Sequence, residues 1–107
     1  MKMKKFYYTY VLESTKDKGF YIGWSKDLRS RVKKHNKGQV EATKNRRPFR
    51  LVYYEACLLK EEAIKREKSL KTGFGRSYLK RRIGEKIIPA WRNGLPARAI
   101  ALVIASR

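Results

Sequence analysis

One cysteine, one histidine and nine acidic residues are all that 107 positions contain. The lone Cys57 cannot close an internal disulfide, and it excludes a cysteine-rich zinc site. Long apolar runs are missing too. The longest, Ala99 to Ala105, is far short of the ~20 residues a membrane-spanning helix needs. The basic start, Met1 to Lys5, leads into a tyrosine-rich run that stops at Glu13, which is not the apolar core of a secretory signal. A cytoplasmic location is therefore expected. No internal repeat or low-complexity segment is present.

Basic residues are abundant. Lys and Arg number 28, the formal net charge is +19 and the isoelectric point is about 10.4. Such an excess costs stability through self-repulsion and attracts polyanions, nucleic acid first among them. The chain is not a disordered basic tail, because 42% of it is apolar and 12% aromatic. At this length a single domain buries roughly two-thirds of its unfolded surface, enough for one core. Charge identifies a partner class and leaves the chemistry open.

Phe6 to Glu13 is aromatic and β-branched, as strands are, and Asp17-Lys18-Gly19 is a turn signal before a second strand, Phe20 to Trp24. Ser25 or Asp27 can cap a helix that runs to about Asn36 and ends at Gly38. Residues 39–48 form a polar, basic loop closed by Pro48. Phe49 to Cys57 reads as a third strand, and a helix follows from about Leu59 to Thr72, with Gly73 as its terminating glycine. Ser77 then caps a last helix through Ile83, with Leu79 and Ile83 facing inward. The order ββαβαα predicts an α+β fold, a small three-stranded antiparallel sheet flanked by helices. Beyond Gly84 the pattern breaks at Pro89, Asn93-Gly94 and Pro96, so the expected division is a domain over 1–84 and an appendage over 85–107.

Three groups of residues stand out. If the hairpin pairs Tyr10 with Gly23 and Leu12 with Tyr21, those four residues share one face, and the missing side chain of Gly23 leaves room beside the Tyr10 ring. A slip of one residue would separate the tyrosines. Tyrosines also favour strands, and the chain has seven. In the following helix Leu28 and Val32 define the inward stripe, with Arg31 and His35 beside it, while Arg29, Lys33 and Lys37 form a separate row. An arginine leaning toward the sheet can hold a phosphate in its planar fork; the same segment also reads as a solvated basic helix with an incidental histidine. Glu67 is the sharpest single residue, four after Ala63 and three before Leu70 in an apolar stripe with Leu59. A carboxylate there is costly unless a cation meets it, either a divalent metal or an arginine such as Arg31.

The ordered set Tyr8-Thr9-Tyr10, Tyr21-Ile22-Gly23, Arg31, His35 and Glu67 resembles the GIY-YIG nuclease family, over residues 6 to about 83, and is most similar to its small standalone members. In that family a tyrosine from each half-motif, an arginine eight residues after the second motif's glycine, and a helical glutamate form the active centre. The resemblance assigns those places to Tyr10, Tyr21, Arg31 and Glu67, the last within Lys65-Arg66-Glu67-Lys68, and His35 to a position often filled by His or Tyr. It implies a divalent metal, Mg²⁺ or Mn²⁺, on Glu67, one of the two tyrosines as general base, Arg31 neutralising the scissile phosphate, and His35 positioning water or phosphate. The cations and the metal are expected to favour phenolate. The first half-motif departs from Gly-Ile-Tyr at its first two positions. Trp24 stands where some members carry Lys or Ser, and the only asparagine downstream of Glu67 is Asn93, to which no role is carried over.

The expected activity is metal-dependent endonucleolytic hydrolysis of DNA, in branched or damaged structures. The alternative is a non-catalytic module of the same fold that grips DNA or structured RNA. Neither reading involves a membrane or a small-molecule substrate, and oligomeric state is left open.

Overall fold

The computed structural model describes residues 5–84, so the appendage expected over 85–107 lies outside the described residues. The elements are β1 (Tyr7–Ser14), β2 (Phe20–Ser25), α1 (Leu28–Asn36), a 3-10 turn (Lys44–Arg46), β3 (Phe49–Cys57), α2 (Lys60–Leu70) and α3 (Gly73–Ile83). The strands form one antiparallel sheet in the order β2-β1-β3. This is the α+β arrangement expected from the alternation of strand-like and helix-like segments.

β1, in the middle, carries the core: Tyr10, Val11 and Leu12 are all buried. Its pairing with β2 sets Tyr10 opposite Gly23 and Leu12 opposite Tyr21. The hairpin turn is held by Asp17, whose Oδ1 accepts the Gly19 N–H at 2.8 Å and whose Oδ2 accepts Arg46 Nε–H at 2.7 Å. The left-handed residue of the turn is Lys18 (φ 63°), not the glycine. Between β1 and β3 the register shifts at Val11/Leu12, so Val11 faces Tyr53 while Leu12 faces Leu51. The bulge leaves Val52 as an extra residue in β3.

Side-chain alternation sends neighbours on β1 to opposite faces, and each face takes a helix. On one face Leu28 and Val32 of α1 pack with Tyr21 against Tyr10, Leu12 and Phe49. On the other, Thr9 Oγ1 donates to the Ala63 carbonyl of α2 at 2.8 Å, and Ala63 and Leu70 are fully buried. Both expected capping residues contribute at the start of α1. Asp27 caps the helix by accepting the Ser30 N–H at 3.1 Å, and Ser25 Oγ accepts the Asp27 N–H at 3.0 Å. Gly38 follows the C-cap Lys37 with φ +78°, a conformation that favours glycine.

Three expectations fail. Leu59 is no part of the inward stripe of α2; it is exposed at the N-cap. Gly73 does not terminate that helix in a left-handed conformation but opens α3, which starts before Ser77. A helical glycine costs only ~1 kcal/mol, which the surroundings can override. Ile83 is half-exposed, whereas Leu79 is buried. α3 belongs to a second compact unit that begins at Gly73. No helix among the described residues is long and apolar enough to cross a membrane.

Candidate active site

The end of α1 is tied to the start of β3 by a two-point bracket. Asn36 Nδ2 donates to the Phe49 carbonyl at 2.9 Å and its Oδ1 accepts the Phe49 N–H at 2.7 Å. This fixes the adjacent His35, which is fully buried. Its Nδ1 lies 2.8 Å from Thr43 Oγ1, and the Thr43 hydroxyl donates to the Val40 carbonyl at 3.4 Å. The bond network therefore assigns the imidazole proton to Nδ1 and leaves Nε2 as the acceptor. Burial, reinforced by the Arg31 charge, lowers the pKa of His35 to about 4, so the ring is neutral near pH 7.

Tyr10 Oη lies 2.9 Å from His35 Nε2 and donates to it. The same oxygen accepts a long bond, 3.4 Å, from Arg31 Nε–H. Burial raises the Tyr10 pKa above its ordinary value; the bond and charge of Arg31 work against that, while the charges of Tyr21 and Glu67 add to it. The expectation that surrounding cations favour phenolate thus fails at Tyr10, because desolvation outweighs Arg31. The Tyr21 ring completes the cluster, 6.5 Å from the Tyr10 ring and 4.9 Å from the His35 ring, centroid to centroid. Gly23 makes the cluster possible: a Cβ there would sit 2.7 Å from Tyr10 Oη and 2.8 Å from its Cζ.

Glu67 projects from α2, the helix on the opposite face of the sheet from Tyr10. Its side chain is 17% exposed, and the cation on it is Lys71, one helical turn on, at 2.6 Å. The expected alternative, a structural pair between Glu67 and Arg31, does not form; an i, i+4 partner reaches the carboxylate first. Among the described residues no cluster of three or more His, Cys, Asp or Glu side chains gathers for a metal. A single partly buried carboxylate still suits Mg²⁺ or Mn²⁺ where waters and substrate phosphate supply the other oxygens, since Mg²⁺ keeps most of its hydration in such sites. Trp24 alternates away from Gly23 onto the α2 face, where Lys60 Nζ lies 5.6 Å from its ring centroid.

The structure thus brings Tyr10, Tyr21, Arg31 and His35 into one cluster, while Glu67 stands outside it on α2, paired with Lys71. Two residues of the cluster's support were not anticipated. Thr43 sets the histidine tautomer from a loop that carries no periodic signal, and Asn36 was read only as the end of a helix. Arg29, Lys33 and Lys34 lie exposed on α1, and Lys37 at its C-cap.

A family model described as the GIY-YIG catalytic domain matches residues 6–84. A UPF0213 protein of Staphylococcus aureus (strain N315) is 45% identical over 67 residues, covering 62% of this chain and 80% of its own length. The same figures hold for a UPF0213 protein of S. aureus strain MW2. The solution NMR structure of the UPF0213 protein BH0048 from Bacillus halodurans is 34% identical, covers 76% of this chain and 88% of that one, and aligns with a TM-score of 0.48. With the catalytic-domain match spanning the hairpin, α1 and α2, the chain belongs to the GIY-YIG family of nuclease domains.

Proposed function

We propose that this protein is a divalent-metal-dependent endonuclease that hydrolyses phosphodiester bonds in DNA, with branched or damaged DNA as its substrate class. Family membership supports nuclease chemistry, and the net charge of +19 supports a polyanionic substrate. The observation that carries the reading is the Tyr10 hydroxyl, held between Arg31 Nε–H and the acceptor nitrogen of a neutral, buried histidine. A buried tyrosine needs one hydrogen-bond partner for packing alone; the guanidinium contact is in addition to that need.

Tyr10 has a proton acceptor in place, so it can act as general base without standing as phenolate. A water at Tyr10 Oη gives up its proton as Tyr10 passes its own to His35 Nε2. Charging His35 beside Arg31 is unfavourable in the free protein; an incoming phosphate anion offsets that repulsion. No acid among the described residues forms an ion pair with Arg31, so its guanidinium is available to the phosphate. Thr43 and Asn36 keep the histidine oriented, and Tyr21 packs on its ring. Glu67 would hold Mg²⁺ or Mn²⁺, which when bound supplies Lewis-acid stabilisation of the leaving oxygen.

The second reading, a binding module without cleavage, draws on the Glu67–Lys71 pair, which neutralises the carboxylate without a metal. Incubating the protein with branched and linear DNA in Mg²⁺, Mn²⁺ or a chelator separates the two. Metal-dependent nicking supports the enzyme; binding in chelator with no cleavage in either metal supports the module.

A further inference from the structure

On the Tyr10 face of the sheet an open groove of about 590 Å³ runs between α1 and the β1–β3 pair. Its floor is apolar and aromatic, built from Tyr8, Leu51, Tyr54 and Val32. Tyr54 is 52% exposed and Leu51 38%, so both present apolar surface to the groove. The bulge in β3 creates this floor. Tyr54 faces Tyr10 and Leu51 faces Leu12, so two residues three apart in sequence share one face. Without the extra residue Leu51 would point to the α2 side. The Tyr8 and Tyr54 rings meet edge to face (5.9 Å, 66°), an arrangement that, unlike a stack, leaves ring faces open.

The rim is cationic. Lys26, Arg29 and Lys33 line the groove, and none of them forms an ion pair among the described residues. The one acid there, Asp27, is committed to capping α1 through the Ser30 N–H. An apolar centre with a polar rim is also the anatomy of a protein-docking patch; the rim cations and the net charge of +19 favour a polyanion. Aromatic platforms bordered by a positive track are what binds single-stranded nucleic acid, because every base has a stacking face and every linkage a negative charge.

We propose that this groove is a stacking site for an unpaired base of the bound DNA, with Tyr54 as the platform and Lys26, Arg29 and Lys33 on the flanking phosphates. Tyr54 is the cross-strand neighbour of Tyr10, whose hydroxyl leans the other way, over Gly23 of β2. The groove thus lies along the Arg29–Lys33 flank of α1 and the Tyr10–His35 pair along the Arg31 flank. The proposal rests on the reading of the chain as a DNA-binding nuclease and deepens it. It gives a physical source for preference toward branched or damaged DNA, whose bases are already unstacked.

The test compares, in chelator, a blunt duplex with the same duplex carrying an unpaired 2-aminopurine nucleotide. Wild-type protein should bind the second roughly tenfold tighter and quench its fluorescence, since stacking on an aromatic side chain contributes that order of affinity. Tyr54→Ala should bring the affinity ratio toward one and abolish the quenching, while Tyr54→Phe keeps both. Equal wild-type affinity for the two duplexes without quenching would overturn the groove and leave DNA binding standing. Binding to neither would overturn both. Tighter binding when the unpaired strand is RNA would overturn the assignment to DNA.

Discussion

The Tyr10 hydroxyl lies 2.9 Å from Nε2 of His35, the only histidine in the chain, and both residues are buried. One bond thus links the middle of the central strand to the last turn of α1 and joins a proton donor to an acceptor. Tyr10→Phe keeps the ring and removes that bond together with the one from Arg31. Cleavage should fall by about 10²–10⁴-fold, the usual contribution of a general base. The unpaired Nε2 should cost about 1–3 kcal/mol of stability. Rates and denaturant unfolding of this variant check both; full cleavage activity would remove Tyr10 from the base role.

Acid should unfold the protein in a window set by His35. Its pKa is lowered from 6.5 to about 4 in the fold, so the unfolded chain binds a proton there first. The stability tied to the neutral ring is complete above pH 6.5 and is lost as pH falls through about 4. At 1.36 kcal/mol per unit the loss is on the order of 3 kcal/mol. Asp17, held well below the usual carboxylate range by Arg46, loses its contribution only below that window. Unfolding free energies of wild type and His35→Gln between pH 7 and 4 should converge as pH drops. Parallel curves would contradict the assignment.

Gly23→Ala places a methyl 2.7 Å from Tyr10 Oη, closer than side chains tolerate. The Tyr10 ring must shift away from His35 and Arg31. Overpacking of this kind costs about 1–3 kcal/mol, and cleavage should fall with it. Thermal melts and cleavage rates test this; an unaffected variant would mean the fit between Gly23 and Tyr10 does not matter.

Residues 26–50 carry ten Lys and Arg against two acids, Asp27 and Glu41. DNA affinity measured in chelator should fall steeply with salt, on a log–log slope of about −0.9 per phosphate neutralised on B-DNA. A slope near zero would point to a protein or small-molecule partner.

The hairpin register was legible in part: a slip of one residue would part Tyr21 from Tyr10 and Leu12, which restricts the pairings that give the observed shared face. The caps of α1 were legible because Ser25, Asp27 and Gly38 act through local bonds and local backbone conformation. Thr43 was not, because its burial depends on how a loop folds over a histidine eight residues earlier, which no periodicity encodes. The start of α3 differs from the expectation because Gly73 resembles a stop signal, and its modest cost is settled by surroundings the local sequence does not show. The cation on Glu67 was sought on another helix, although Lys71 stands at the i+4 spacing that helices use. Tyr10's protonation depends on desolvation, which follows from the packing of α1 over the strand.

Glu67→Gln tests the central claim most directly, because it keeps the side-chain shape and removes the carboxylate that would hold the metal. The measurement is single-turnover cleavage of branched DNA in Mg²⁺, alongside DNA affinity in chelator and the melting temperature. The account predicts cleavage lower by two or more orders of magnitude, as expected where Lewis-acid stabilisation contributes several kcal/mol at about 1.4 kcal/mol per decade. Affinity in chelator should hold or tighten, and the melting temperature should change little because the Lys71 pair is a half-exposed helical contact. Cleavage equal to wild type would contradict a metal role for Glu67. Loss of stability, binding and cleavage together would mean that Glu67 serves the fold and not the reaction.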